Sequence, residues 1–330
     1  MYFPEYFCTS PVCSPARASV LCGKMPSGHG VLDWISKGHI NYEDVASDLR
    51  KAHQDPRAPW EYAWSKQQLE GDEAIRYMEG LRTYSDILAE HGYICGLAGK
   101  WHLGDAGCPQ HGFSYWEPLA MGGDNYFYPV VLRDGKFDML RHTYITNYIT
   151  DKALDFLRNR DTEKPFYLSV HYTAPHSPWE RNQHPEEFYD LYQDCPFVET
   201  PNVPPHKWGH AYSQEERRKR LQGYYAAVTA MDSDIGKLVG YLKKEGLWDD
   251  TIVIFTADNG MSMGHHGIFG KGNGTFPLNM YDTAVRVPMI VTYPRGIRGG
   301  CVAKGLYSHY DLMPTIAGLM GEAPEEGCPG

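Results

Sequence analysis

The sequence predicts an α/β fold, with a mostly parallel central sheet flanked by helices on both faces. Three observations carry that expectation. Runs of apolar, β-branched and aromatic residues at 94–104, 164–172, 251–260 and 287–294 read as buried strands. Helical patterns at 82–93, 213–246 and 310–321 are interspersed with them, the arrangement that builds parallel sheets through crossover connections. The 330 residues, 42% hydrophobic and 22% charged, are enough for one sizeable core.

Each element has a local reason. In "CTSPVCSPARASVLCGK" (8–24), Ser14 followed by Pro15 has the form of a helix start, proline having no N–H to leave unpaired there. Cys13 then stands at the helix N-terminus, where free N–H groups and the dipole favour an anion. Arg17, one turn on, leans back over the same spot. Segment 33–81 is polar and aromatic with weak periodicity and reads as a surface excursion that walls a pocket. In 82–93, Ile87, Leu88 and His91 recur at helical spacing and Gly92 is a stop. "ICGLAGKWHLG" reads as a strand running into a loop, and "KPFYLSVHY" as a strand followed by the loop "TAPHSPW". Segment 173–212, rich in Pro, His and Tyr, is a second excursion. The longest helix runs from Ser213 and its acidic followers to Gly246. "TIVIFTADNG" is a strand ending in Asp-Asn-Gly, "VPMIVTYP" is another, and "YDLMPTIAGLMG" closes as a helix. Ligands gather at the C-terminal ends of parallel strands, which points to Lys100, His102, His176, Asp258 and Asn259.

Composition excludes several classes. A formal charge of −10 argues against general nucleic-acid binding, although a pocket with an opposing local field still suits a small anionic substrate. No run is apolar and long enough to span a bilayer. "MYFPEYFCTSP" has no basic region followed by an apolar stretch, so no signal peptide is read there, and cytoplasm, periplasm and secretion all stay open. Eight cysteines in a long chain without C-x-x-C read as free thiols, neither a disulfide framework nor a zinc ribbon.

Cys13-Ser14-Pro15-Ala16-Arg17 resembles the C-x-P-x-R signature of the type I sulfatases, in the alkaline phosphatase superfamily. "VLCGK" follows where that family carries L-T-G-[RK], with Cys22 in place of the usual Thr. "GKWHLG", "APHSP", "TADNG" and "GKGNGTF" then arrive in the family's order, and the resemblance covers essentially the whole chain. It implies the family's core fold and hydrolysis of a sulfate monoester on a sugar or aryl alcohol. Cys13 would be converted by a formylglycine-generating enzyme to formylglycine, whose hydrate is the nucleophile. Lys100 would bind sulfate and nucleophile oxygens, and His102 would help deprotonate the hydrate and collapse the sulfated intermediate. His176 would stand near the leaving-group oxygen and Lys271 would touch the sulfate. Asp258 and Asn259, with the converted Cys13, would ligate calcium, which favours hard oxygen donors. Independently of the resemblance, Lys100 and His102, two apart on a strand, are expected on one face. Two lysines, an arginine, a divalent cation and a helix start suit the charge of a sulfate ester.

The chain also departs from the family pattern. Members begin with an apolar strand ending in two metal-ligating aspartates, and add a small antiparallel subdomain after the core. Neither is seen here; the nearest Asp-Asp, Asp249-Asp250, precedes a strand. The expectation is a single, incomplete catalytic domain over 1–330, with weak or absent calcium binding, low activity, and an open sheet edge or apolar groove prone to association. Homo-oligomerisation stays open. Competing readings are a phosphonate monoester or phosphodiester hydrolase, a catalytically dead scaffold, and a hydrolase using Cys13 as a thiolate. The lysine loop lacks P-loop spacing. Trp60, Trp64, Trp101 and Trp179 are expected to pack rather than stack on substrate. His265 and His266 are equally a pocket pair or a solvated loop.

Overall fold

The computed structural model describes every residue except 72, 324 and 325, and every side chain in its helices and strands except those of residues 63, 64 and 67. The expectation for the Trp64 ring therefore falls outside the described residues.

A five-stranded sheet forms the centre, in the order Lys136–Met139, Val130–Arg133, Phe113–Leu119, Ile94–Lys100, Phe166–His171. Ile94–Lys100 is parallel to both of its neighbours. Its side chains alternate. Cys95 and Leu97 face a cluster with Ala18, Leu21, Ile87, Leu88, Met313 and Ala317, while Ala98 faces one with Ile145, Ile149, Ala153, Ala227 and Ala230. Helices Cys13–Cys22, Tyr84–Glu90 and Leu312–Leu319 thus cover one face, and Ile145–Asn159 and Gln214–Lys244 the other. The expected α/β class holds.

Parallel pairing is narrower than the sequence suggested. Val130–Arg133 and Lys136–Met139 pair antiparallel across Asp134-Gly135, both at positive φ (48° and 74°), the geometry of a tight hairpin. Val253–Thr256 pairs antiparallel with Met289–Thr292 in a ladder of its own. The helix Ile145–Asn159 was not anticipated.

Two predicted helix starts are realised as capping boxes, Thr83 with Asp86 and Ser213 with Glu216. Segment 33–81 has more internal structure than its weak periodicity suggested. It holds helices Ser47–Gln54 and Trp60–Leu69, and it buries Ile40, Val45, Leu49 and Leu69 against Val130, Phe137 and Met139. Its apolar residues are spread across two short helices and a loop, so no single window shows a period. Among the tryptophans, Trp101 and Trp179 are core, whereas Trp60 is 51% exposed.

Candidate active site

The helix Cys13–Cys22 begins two residues before the predicted first helical position, so Pro15 is its third residue rather than its first. Val12, the N-cap, is extended, no side chain caps the first turn, and no acidic residue lies in it. The helix start is left to Cys13, whose side chain is buried. Ser14 is turned away and its Oγ accepts from the Ile35 N–H at 3.1 Å.

Four charged groups converge on the helix start. Lys271 Nζ donates to Cys13 Sγ at 2.7 Å. Asp258 lies 3.4 Å from Arg17 Nη1 and 3.8 Å from Lys100 Nζ. Burial raises the Cys13 thiol, but Lys100 and Lys271 outweigh it, so the net shift is down. Burial also raises Asp258, yet Lys100, Lys271 and Arg17 hold it well below the usual carboxylate range. For Lys100 burial is the larger influence and the ammonium is shifted down; Lys271, against the thiol and Asp258, is shifted up despite burial. Arg17, Lys100 and Lys271 thus face one carboxylate, Asp258, and the Cys13 thiol, so basic groups outnumber acidic ones around the helix start.

Lys100 is the last residue of Ile94–Lys100, as predicted, but His102 does not share its strand face. The strand has ended, and His102 adopts φ 58°. Its Nε2–H donates to Ile35 O at 3.0 Å, and its ring lies 5.2 Å from that of His39. Its Nδ1 is buried with no partner. A Cβ on Gly122 would come within 2.2 Å of the imidazole, so the ring occupies space that only glycine leaves free. Burial and the charges of Lys100, His39 and Arg17 keep His102 neutral. Ile35, in the excursion, therefore ties the helix Cys13–Cys22 to His102.

His176 follows Phe166–His171 by a short loop. Its Nδ1–H donates to Ser177 O at 2.6 Å, leaving Nε2 free. Burial and the fields of Lys271 and Lys100 lower it to about 3. His266 is exposed, stacked on Tyr281 at 3.9 Å, and so belongs to the solvated loop. Cys8 and Cys22 are buried thiols, pushed up to about 12 and about 11, as bystanders should be.

Sequence reasoning missed His171. Arg17 Nη2 lies 2.6 Å from its Nδ1 and also donates to Lys100 O; Arg17 Nε donates to Trp101 O at 2.9 Å. Lys100 O, which can only accept, also stands 2.9 Å from Nδ1. The guanidinium can only donate and makes the shorter contact, so Nδ1 carries the lone pair and Nε2–H donates to Ser169 Oγ at 2.6 Å. Tyr167 donates to the same Oγ at 3.0 Å, and Tyr84 meets Tyr167 at 2.8 Å. Burial and Arg17 lower His171 to about 3, consistent with this neutral tautomer.

Asn259 Oδ1 is buried without a partner, a fit for a hard cation, and Asp258 adds a carboxylate. Among the described residues, however, no group of three or more His, Cys, Asp or Glu side chains is arranged to hold a metal. Two donors fall short of the six to eight oxygens calcium takes. Asp258 and Asn259 alone leave a calcium shell incomplete.

The fold and this cluster define an α/β protein with a cationic centre built around a helix start. The Sulfatase family model matches residues 1–322, and the chain belongs to that family. It is 30% identical over 326 aligned residues to an N-acetylglucosamine-6-O-sulfatase of Bacteroides thetaiotaomicron, covering 77% of this chain and 57% of the relative. A choline-sulfatase of Rhizobium meliloti is 26% identical, covering 98% of this chain and 61% of its own length. The chain thus spans about three fifths of the length of these curated relatives. Among solved structures, a protein in complex with its substrate D-glucosamine-2-N,6-O-disulfate superposes with TM-score 0.71 at 22% identity, covering 100% of this chain and 71% of that one. A phosphonate monoester hydrolase from Silicibacter pomeroyi shares the fold, with TM-score 0.65 at 18% identity over 100% of this chain and 68% of that one. Family membership carries with it metal and formylglycine chemistry in general. No helix among the described residues is long and apolar enough to cross a membrane.

Proposed function

We propose that the chain hydrolyses a sulfate monoester of a sugar or aryl alcohol at Cys13, converted to formylglycine by a formylglycine-generating enzyme. The observation that carries this reading is the contact of Lys271 with Cys13 Sγ, 2.7 Å, at an uncapped helix start shared with Arg17, Lys100 and Asp258. Formylglycine supplies a hydrate whose second hydroxyl can expel sulfate, which a serine could not do. Arg17, Lys100 and Lys271 bind the anionic oxygens, and the excess positive charge offsets negative charge moving onto the leaving oxygen. Asp258 holds Arg17 and Lys100 together. The free Nε2 of His176 faces the leaving group, and a bound sulfate, by cancelling the field of Lys271 and Lys100, raises its affinity for the proton it passes on. The buried, unpartnered Nδ1 of His102 is the proton acceptor on the nucleophile side. Asp258, Asn259 and Cys13 would give calcium at most a weak site. Segments 33–81 and 173–212 wall the substrate cleft of a single catalytic domain, 1–330; Trp60 and Pro178 line one cavity and Trp208 another. The names of the relatives support a sulfated carbohydrate as the ligand.

The test is mass spectrometry of the Cys13 peptide from chain co-expressed with a formylglycine-generating enzyme, with parallel turnover of an aryl sulfate and an aryl phosphodiester. Conversion of Cys13 and preference for the sulfate are expected. An unmodified thiol, or preference for the phosphodiester, overturns the reading.

A further inference from the structure

Two exposed aromatic rings line a cavity next to the loop that carries Lys271. Trp208 is 54% exposed and Phe276 77%, and they meet edge to face at 6.4 Å. Both line an open cavity of about 240 Å3. Exposed rings of this kind, apolar on the face, can serve as stacking platforms for the C–H face of a sugar. The chain before Trp208 is packed closely on the 264–267 turn: the His206 N–H donates to Gly267 O at 3.0 Å, and a Cβ on Gly267 would lie 2.2 Å from Pro204 O.

The cavity is joined to the nucleophile through one residue. Asn279 lines it, and its Nδ2 donates to Gly272 O at 3.0 Å and to Lys271 O at 3.4 Å, the lysine whose Nζ touches Cys13. Asn279 Oδ1 is buried and has no partner. The charge is one-sided as well. In a chain of net charge −10, this lining contains no carboxylate, and Lys207 extends over the Trp208 ring with Nζ 5.9 Å from its centroid. On the His176 side, a cavity of about 350 Å3 lined by Trp60, Asn125 and Gln183 carries Glu180 as its charge. Tyr126 joins that cavity to the site, donating from its hydroxyl to His176 O at 2.8 Å and from its N–H to Gln183 Oε1 at 3.0 Å.

We propose that the Trp208–Phe276 cavity is a subsite for a second, acidic sugar unit next to the one whose sulfate meets Cys13. The inference rests on the sulfatase reading and specifies its substrate as an anionic oligosaccharide, with a carboxylate or second sulfate paired to Lys207. Full chain co-expressed with the formylglycine-generating enzyme is assayed with four probes. These are p-nitrophenyl sulfate, a monosulfated disaccharide whose second unit is glucuronate, its glucose analogue, and an analogue whose second unit is sulfated glucose. Lys207→Met is expected to raise KM about tenfold on one or both acidic disaccharides, with kcat unchanged and no effect on the aryl sulfate or the neutral disaccharide. The acidic probe that responds identifies the group. Trp208→Ala is expected to raise KM for all three disaccharides and not for the aryl sulfate. Equal shifts on every probe, or none on either acidic disaccharide, overturn the subsite. If the unsubstituted protein turns over no probe, the sulfatase reading has failed. Calorimetric titration with desulfated glucuronyl disaccharide then decides the subsite: binding lost in Lys207→Met supports it, and binding absent or unchanged overturns it.

Discussion

Lowering the pH from 7 to 5 should remove a large part of this protein's stability, through three buried histidines that cannot accept a second proton in place. His309 is fully buried; its Nε2 is 3.0 Å from Ala257 O and its Nδ1 has no partner, so a second N–H would be stranded. His29 accepts the Val31 N–H on Nδ1 at 3.2 Å and meets Ser19 Oγ at 3.0 Å. His184 sits between Tyr144 OH, 3.4 Å, and Pro178 O, 3.2 Å. Burial lowers all three to about 4. In the unfolded chain each titrates near 6.5. The folded value is the lower one, so the unfolded chain binds more protons in this window. The contribution is complete above about pH 6.5 and is lost as pH falls toward 4. Between pH 7 and 5 the linkage relation gives a loss of about 1.8 kcal/mol per histidine, about 5.5 kcal/mol for the three. Against a typical stability of about 5–15 kcal/mol that is decisive. The shifts of His102 and His171 have the same sign. Urea unfolding followed by tryptophan fluorescence at pH 7, 6 and 5 measures the loss, and His309→Gln should reduce it by about a third. A loss below about 1 kcal/mol between pH 7 and 5 would refute the assignment of these histidines as buried and neutral.

Three further outcomes are expected. His171→Leu removes the acceptor that aligns Arg17 and leaves a charged donor unpaired, worth about 1.5–3 kcal/mol, so kcat/KM should fall at least tenfold; His171→Asn, whose amide oxygen can take the place of Nδ1, should restore much of it, and equal losses in both would argue for a merely structural role. Gly122→Ala puts a methyl 2.2 Å from the His102 ring, forcing the imidazole off Ile35 O; a cost of about 1–3 kcal/mol is expected in denaturant unfolding, together with loss of turnover, and unchanged activity would remove His102 from the site. Calcium at millimolar concentration should raise Tm by less than about 2 °C, because Asp258 and Asn259 alone make a poor shell; a larger rise in thermal shift would show that further ligands exist.

What was legible in the sequence was whatever depends on a few neighbouring residues. Cys13, Arg17, Lys100, Asp258 and Lys271 stood out through short motifs. The structure brings them together because Cys13, Lys100, Asp258 and Lys271 lie at or just past the end of a helix or strand, while Arg17 reaches back from one turn inside the Cys13 helix. Some local signals were present and passed over. Asp134-Gly135 between "VVLR" and "KFDM" marks a hairpin, and Ile145, Ile149, Ala153 and Phe156 repeat at helical spacing. His171 is a different case. Nothing in "FYLSVHY" distinguishes its histidine from a packed one, because its role comes from register in space. Gly99, at φ 106°, lets the neighbouring strand approach so closely that a Cβ would sit 2.2 Å from His171 O. That approach sets the His171 imidazole beside the Lys100 carbonyl, Nδ1 2.9 Å from the oxygen, and Arg17 reaches both from a helix more than eighty residues earlier in the chain. A contact made by two strands and a helix has no window in the sequence. The same holds for His102, whose strand face was the natural expectation until the chain turned into a left-handed conformation at that residue. Motif reading therefore finds the charged groups that the fold gathers at one helix start, and the packing around glycines decides which other groups hold them there.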